Sequence, residues 1–383
     1  MIMSVEAAGR AETKYVTCNG DGVVEQIASV VAGGNITVAY DGNVPYQYVN
    51  LLIRRLARAG FILTERKYEG GYTEALADFL APIEAIRLIV ALGGGEFACL
   101  AAVAAQKKGI KAIYFPTTAY VPDREYMWFY CGGRAVKESC RAFDLVLTDE
   151  TLTEAANGRA KAAAVGFFLT DALGRFDRLV SELLTSGALN DKKYRYAVNC
   201  LDSIGVKGEK QPPSSGGEYG SALLSAELYR FRFPKLGLGE GAFLFAYTLI
   251  KLYKRFLERD FCDLAPPKDY GRFVEIMTKK YGGDAVRLLR DTECRGTDEY
   301  LLRRHVIGEY RAELYALLKL LDAELPSLLK RFKRMYPDAG YFLKEEIKGK
   351  ELLECTALGV TLCREDTFAG FLDELGVLNF LQS

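Results

Sequence analysis

Three consecutive glycines, Gly93, Gly94 and Gly95, end the short apolar run Leu88–Leu92. Residues without a Cβ let a ligand close on backbone N–H groups, and a helix starting just beyond them turns its dipole toward an anion. Asp41 and Asn43 close a second apolar run, residues 35–40, and Thr117 and Thr118 close a third, residues 110–115. A plain strand-to-helix turn uses the same residue types, so the triplet gains specificity only from the Pro116-Thr117-Thr118 turn that follows the next strand. Metal chemistry finds less support. Nine cysteines are scattered without a single Cys-x-x-Cys pair, and His305 is the one histidine, so a zinc site of the usual composition is not expected.

These residues need a scaffold, and the spacing supplies one. Leu88–Leu92 reads as a buried parallel strand, 97–106 as a small-residue helix closed by Gly109, and 110–115 as the next buried strand. Upstream, the pattern predicts strands over 15–18, 35–40 and 61–66 and helices over 22–31, 45–60 and 72–86. A last strand is predicted over 143–148. Strands alternating with helices of this length predict an open parallel sheet, α/β and Rossmann-like, covered on both faces, with ligands beyond the carboxyl ends of its strands. Asp41, Asn43, Gly93–Gly95, Thr117 and Thr118 all fall at such ends.

Past Asp149 the composition turns Ala-rich and helical. Helices are predicted over 154–180, 218–231, 240–257, 269–280, 298–321, 325–335 and 367–375, with 211–217 (QPPSSGG) as a loop. The organisation expected is a flexible terminus over 1–14, an α/β nucleotide-binding-like domain over 15–149 and an all-α domain over 150–383. Fifty acidic residues balance fifty basic ones, which gives no electrostatic case for a nucleic-acid partner. No run nears the ~20 apolar residues of a membrane span, and no signal peptide is read. Unpaired thiols fit a reducing compartment, so a cytoplasmic protein is expected.

The order of motifs resembles the dehydroquinate synthase-like superfamily, which holds 3-dehydroquinate synthase, glycerol-1-phosphate dehydrogenase and the iron-containing alcohol dehydrogenases. The likeness is carried by Asp41-Gly42-Asn43-Val44, Ala91-Leu92-Gly93-Gly94-Gly95, Gly109-Ile110, Pro116-Thr117-Thr118, Gly132-Gly133 and the strand ending in Asp149. It implies that Asp41 and Asn43 contact the adenosine part of NAD, that Gly94 and Gly95 hold the diphosphate, and that Thr117 and Thr118 face the nicotinamide. It also implies a homodimer. The sequence departs from the pattern at Ala98-Cys99, where the family has Gly-Asp, and around Glu69-Gly70-Gly71, where the family's Gly-Glu-x-x-Lys has no clear counterpart.

Active relatives, by the same resemblance, hold a divalent metal through one carboxylate and two histidines. Here Lys161 stands at the carboxylate position and Ala164 at that of the catalytic lysine. The two histidine motifs become Tyr219–Ser225 and Gly237–Glu240, with Leu238 at a histidine position. A cation cannot hold a cation, and a leucine offers no lone pair. The expectation is therefore a divergent member without a divalent metal, its inherited catalysis lost, with NAD or a phosphorylated or carboxylated ligand held in the interdomain cleft. Two other readings are a metal-independent NAD-dependent enzyme on a phosphorylated polyol or sugar acid, and a dehydrogenase using Asp171, Glu227 or Glu240 as carboxylate ligands. Lys161, Arg134 and Glu240 are the candidate catalytic residues. Arg134 can clasp a phosphate or carboxylate bidentately, and Lys161 can meet a substrate oxygen or Glu240. The aromatic stretch Tyr126–Tyr130 reads as an insert that packs, plugs the cleft, closes as a lid or joins a subunit contact.

Overall fold

Every side chain from Leu88 to Leu92 is buried, and the alternation of a strand sorts them onto two faces. Leu88, Val90 and Leu92 pack on one side, Ile89 and Ala91 on the other. A strand apolar on both faces needs cover above and below, which only a central position in a layered α/β sheet provides. In the computed structural model it has that position. The structure describes residues 13–18, 22–69, 76–77, 79, 81, 86–117, 126–131, 134–155, 158–202, 222, 225–226, 237–258, 271, 274–275, 278–279, 297–337 and 367–375. The chain divides into two compact units, Met1–Phe129 with Lys137–Ala160, and Tyr130–Val136 with Lys161–Ser383.

The first unit is built on a six-stranded, all-parallel sheet of order β1-β8-β5-β4-β2-β3. In chain order its elements are β1 (Lys14–Thr17), α1 (Gly22–Val30), β2 (Asn35–Asp41), α2 (Tyr46–Arg58), β3 (Ile62–Tyr68), β4 (Ile86–Gly93), α3 (Gly95–Lys108), β5 (Lys111–Pro116) and, after two further strands, β8 (Leu145–Thr148). One face is covered by α1 and α2 through Val23, Ile27, Val49, Leu52 and Leu56; the opposite face is covered by α3 from Phe97 to Ala105. Alanines dominate the buried side of α3, so this helix lies close on the sheet. It ends as predicted at Gly109, whose φ of 63° only a residue without a Cβ adopts cheaply. The chain leaves β2 toward β3 and leaves β4 toward β5, in opposite directions along the sheet. The topological switch point therefore lies between the carboxyl ends of β2 and β4, where sheets of this kind bind ligands.

One stretch the sequence left without an assigned element is resolved, and one helix is shortened. The aromatic stretch is a strand: β6 (Tyr126–Cys131) pairs with β7 (Arg134–Ser139) in a separate two-stranded sheet. A Gly132-Gly133 pair closing an aromatic run is a hairpin signal in the sequence. The helix predicted over 72–86 reaches too far, because Ile86 already begins β4 and pairs with Asn35. Of that helix only 76–77 and 79 are described, and they are helical.

The second unit is helical. Its described elements, with α4 (Glu150–Ala155) preceding them, are α5 (Gly158–Ser186), α6 (Asp191–Asp202), α7 (Leu238–Leu257), α8 (Thr297–Glu309), α9 (Arg311–Met335) and α10 (Phe368–Glu374). The helix predicted over 298–321 breaks at Tyr310, and the gap predicted before Leu325 does not exist. Instead α9 runs through Pro326. The proline forfeits one backbone bond, but Leu321, Leu325 and Leu328 are buried on either side and hold the helix together. Asp322, on the same helix, accepts hydrogen bonds from Lys251 and Lys254 of α7. At α10 the Thr367 hydroxyl caps the helix by accepting from Gly370 N–H. Asp177 of α5 accepts from Phe368 N–H and from the Tyr253 hydroxyl. Phe368 is fully buried and meets Tyr253 edge-on at 4.8 Å. The segments predicted as helices over 218–231 and 269–280 are described only at isolated positions, each helical, and 211–217 lies outside the described residues.

Candidate functional site at the carboxyl edge of the sheet

Asp41 is the last residue of β2, and its register partner on β3 is Tyr68. Its carboxylate bridges two turns. Oδ1 accepts from Asn43 N–H at 2.8 Å, and Oδ2 accepts from Gly94 N–H, across the switch point, at 2.8 Å. Hydrogen bonds to a charged acceptor are worth about 1.5–3 kcal/mol each. The bridge also explains why position 93 is glycine. A Cβ there would lie 2.5 Å from Asp41 Oδ2 and 2.9 Å from the Phe97 ring. Burial pushes the Asp41 carboxyl above the ordinary aspartate range, and backbone N–H groups of Gly94, Asn43 and Val44 pull it back only in part.

The glycine loop feeds directly into α3. Gly94 is the N-cap, extended at φ −76° and ψ 170°, with no side chain capping the helix there. Its carbonyl accepts from Ala98 N–H at 3.0 Å, so the first intrahelical bond leaves the N–H groups of the first turn without intrahelical acceptors. Gly93 is locked from the other side, its carbonyl accepting from Thr117 N–H at 3.0 Å and from the Tyr114 hydroxyl at 2.9 Å. Thr117 is fully buried, and among the described residues its hydroxyl has no hydrogen-bond partner. A buried hydroxyl left unsatisfied costs about 1–3 kcal/mol.

The fold thus gathers Asp41, Asn43, Gly93, Gly94, Gly95 and Thr117 on one edge. Asn43 is exposed; Thr118 lies outside the described residues. Sequence reasoning passed over Glu69, whose Oε1 would lie 3.7 Å from a Cβ at Gly42 and whose carboxylate pairs with Lys67. The signal was the pairing of Asp41 with Tyr68, which puts the residue after Tyr68 beside the β2 turn. It also passed over Asp149, which accepts from the Tyr48 hydroxyl at 2.7 Å and from Thr151 N–H at 2.9 Å, and so caps α4. Cys18 lies near that carboxylate. Burial first, and the Asp149 charge second, push its thiol up, which makes it a poor nucleophile. Cys99, at the start of α3, is buried.

The candidate catalytic residues fall in the helical unit. Lys161 is half-buried on the first turn of α5, and Glu240 is buried on the first turn of α7. These helices cross backbone to backbone: a Cβ on Gly166 would lie 1.7 Å from the Gly239 carbonyl oxygen, and one on Gly239 would lie 2.5 Å from Ala163 Cβ. The Thr170 hydroxyl spans the crossing, within hydrogen-bond reach of the Gly166 carbonyl at 2.9 Å and the Ala242 carbonyl at 3.2 Å. Glu240 folds back over its own N-cap, its Oε2 only 2.2 Å from where a Cβ of Gly237 would be. Leu238 is 1% exposed, and Ser225 is fully buried. Asp171 accepts from Arg175 Nε and Nη2 at 3.2 and 3.1 Å, so its carboxylate is engaged by a cation. Arg134 lies on β7, Glu227 lies outside the described residues, and His305 is exposed on α8. Among the described residues, no three His, Cys, Asp or Glu side chains converge as a metal site would require.

No family model matches the sequence, and no curated protein matches it. Solved structures do. The NADH-dependent butanol dehydrogenase A of Thermotoga maritima is similar over 96% of each chain, with a TM-score of 0.51 and 12% identity. An archaeal halo-thermophilic alcohol dehydrogenase from a Red Sea brine pool is similar over 98% of each chain, at 0.50 and 15%. An iron-containing alcohol dehydrogenase of Thermotoga maritima is similar over 97% of this chain and 98% of its own, at 0.50 and 12%. Identities this low speak to architecture and leave activity to the residues of each site. No described helix is long and apolar enough to cross a membrane. What the chain shares with these dehydrogenases is their fold, a parallel α/β sheet unit followed by a helical unit.

Proposed function

We propose that this protein binds an NAD-type dinucleotide, or a related phosphorylated ligand, at the carboxyl edge of its sheet and does not carry out the metal-dependent chemistry of its fold relatives. The observation that carries the first half is the buried hydroxyl of Thr117, which has no hydrogen-bond partner among the described residues and lies next to a glycine loop that opens a helix. A polar group held dry at such a cost is accounted for by a ligand that completes it. The residues fit the dinucleotide. The first turn of α3 would take the diphosphate with Asp41 beside it, Asn43 would sit toward the ribose, and Thr117 would bond the part beyond. A bound nicotinamide supplies hydride chemistry; the residues named here bind and orient.

The donor set does not fit a metal. By resemblance, Lys161 and Leu238 occupy ligand positions, and neither offers a lone pair to a divalent ion at neutral pH. Glu240 is turned onto its own helix start, and Asp171 is paired with Arg175, so the two described carboxylates a rewired site would draw on are otherwise engaged. Transition-state stabilisation of an alkoxide by one well-placed group is worth on the order of 10²–10³ in rate, so inherited chemistry without the ion falls by at least that much. Lys161 brings one charge and no fixed coordination shell, a weak substitute. The protein is proposed to be a homodimer, by resemblance, and to act as a binding or regulatory partner.

Calorimetric titration with NAD+ tests the binding half, and saturable binding in the presence of a chelator is expected. The catalytic half is tested by assays on 3-deoxy-arabino-heptulosonate 7-phosphate and glycerol 1-phosphate, with NAD+ and added zinc. No turnover is expected, and turnover at neutral pH would overturn the reading.

A further inference from the structure

The Gly94 N–H at the diphosphate loop already holds an anion, the Asp41 carboxylate at 2.8 Å, and that group is part of the chain. A diphosphate on the first turn of α3 would bring its charge against this carboxylate in a setting screened poorly by water. The charged groups nearby do little to offset the repulsion. From β3 the cation is Lys67, and it pairs with Glu69, whose carboxylate borders the Gly42 turn. From α3 the neighbour is the uncharged ring of Phe97, and from β4 it is the loop glycine itself. Both carboxylate oxygens already accept backbone N–H groups, so Asp41 has no freedom to swing away without opening the two turns it ties.

We propose, resting on the nucleotide reading above, that Asp41 couples ligand binding at this loop to proton uptake. The diphosphate settles on the helix start as one proton from solvent joins the Asp41 carboxylate. The resulting carboxyl group keeps accepting from Gly94 and Asn43 and donates its new O–H to a phosphate oxygen. No other bond forms or breaks. Burial already works in the same direction, holding the free carboxyl above the ordinary aspartate range before any ligand arrives. The sign follows. The complex holds one proton more than the free protein, so affinity rises as pH falls and levels off below the carboxyl's own pKa in the free protein. Thr117 supplies an independent pointer to a ligand at this edge, being a buried hydroxyl without a partner among the described residues.

Calorimetry with NAD+ in two buffers of different ionisation enthalpy reads the proton count directly, and titrations from about pH 5 to about pH 8 read its consequence. The expected result is uptake approaching one proton per NAD+ and an affinity gain approaching about tenfold per pH unit on acidification, both absent in Asp41→Asn. Binding without proton uptake, or uptake undiminished in Asp41→Asn, overturns the coupling and leaves the nucleotide reading standing. Absence of NAD+ binding by both proteins at every pH overturns the nucleotide reading and the coupling with it. Should Asp41→Asn fail to fold, the proton count of the unmutated protein decides alone, and a count of zero is fatal.

Discussion

Replacing Gly166 by alanine should destabilise the helical unit, although alanine is the better helix former. In an exposed helix the exchange gains about 0.8–1 kcal/mol. At position 166 the new Cβ would lie 1.7 Å from the Gly239 carbonyl oxygen, 2.8 Å from the Gly239 carbonyl carbon and 3.0 Å from Phe243 N. All three are backbone atoms of α7, so no side chain can turn aside. The helices must separate by more than 1 Å, roughly the shortfall from an ordinary contact, and the buried layer of Ala162, Ala242 and Phe243 loses packing with them. Overpacking of this kind costs about 1–3 kcal/mol, occasionally more, which outweighs the propensity gain. Gly308, near the end of α8, is the control, because a Cβ there meets nothing within 4 Å. Gly308→Ala should raise stability by up to about 1 kcal/mol. Urea unfolding followed by far-ultraviolet circular dichroism compares the midpoints. A Gly166→Ala midpoint equal to or above that of the unmutated protein would refute the backbone-to-backbone crossing.

Thr117→Val keeps the shape and removes the buried hydroxyl that has no partner among the described residues. The ligand-free protein should gain about 1 kcal/mol in thermal or denaturant unfolding, while NAD+ affinity falls by about three- to tenfold in calorimetry. A variant that loses both stability and affinity would show the hydroxyl to be structural. Asp322→Asn removes the acceptor shared by Lys251 and Lys254. Partial burial works to raise that carboxyl, but the two lysine hydrogen bonds outweigh it and hold it below the ordinary aspartate range. The pair therefore stabilises the fold above the unfolded-state pKa, and the contribution fades as pH falls through the lower folded-state value. The variant should lose about 0.5–1 kcal/mol at neutral pH, after allowance for solvent screening, and nothing at low pH. An equal loss at both pH values would show that the charge is not responsible.

The sheet was legible because its central strands, β4 and β5, are apolar on both faces and end in residues that cannot continue a strand. Gly109 marked the end of α3 for the same reason, one backbone conformation that one residue adopts cheaply. The pairing of β6 with β7 escaped notice because the aromatic content of β6 drew attention to packing and the charged run of β7 carries little strand signal, although Gly132-Gly133 stood between them. The gap predicted over 322–324 failed in the opposite way: burial of Leu321, Leu325 and Leu328 carries α9 across it and through Pro326. At the candidate site, residue types were readable and their mutual use was not. No spacing rule tells that Asp41 reaches across 53 positions to Gly94 N–H. Nor does one tell that Glu240 turns back on Gly237. Such contacts depend on which strands and helices become neighbours, and only the topology settles that.

The account stands on a helical unit that, at the positions the resemblance matches to metal ligands, carries the ammonium of Lys161, the side chain of Leu238 and serines in place of histidines. Elemental analysis by inductively coupled plasma mass spectrometry, after dialysis against zinc and then against metal-free buffer, addresses this most directly. Far less than one divalent ion per chain is expected, the same in Lys161→Ala as in the unmutated protein. One tightly held zinc, iron or cobalt ion per chain would contradict it.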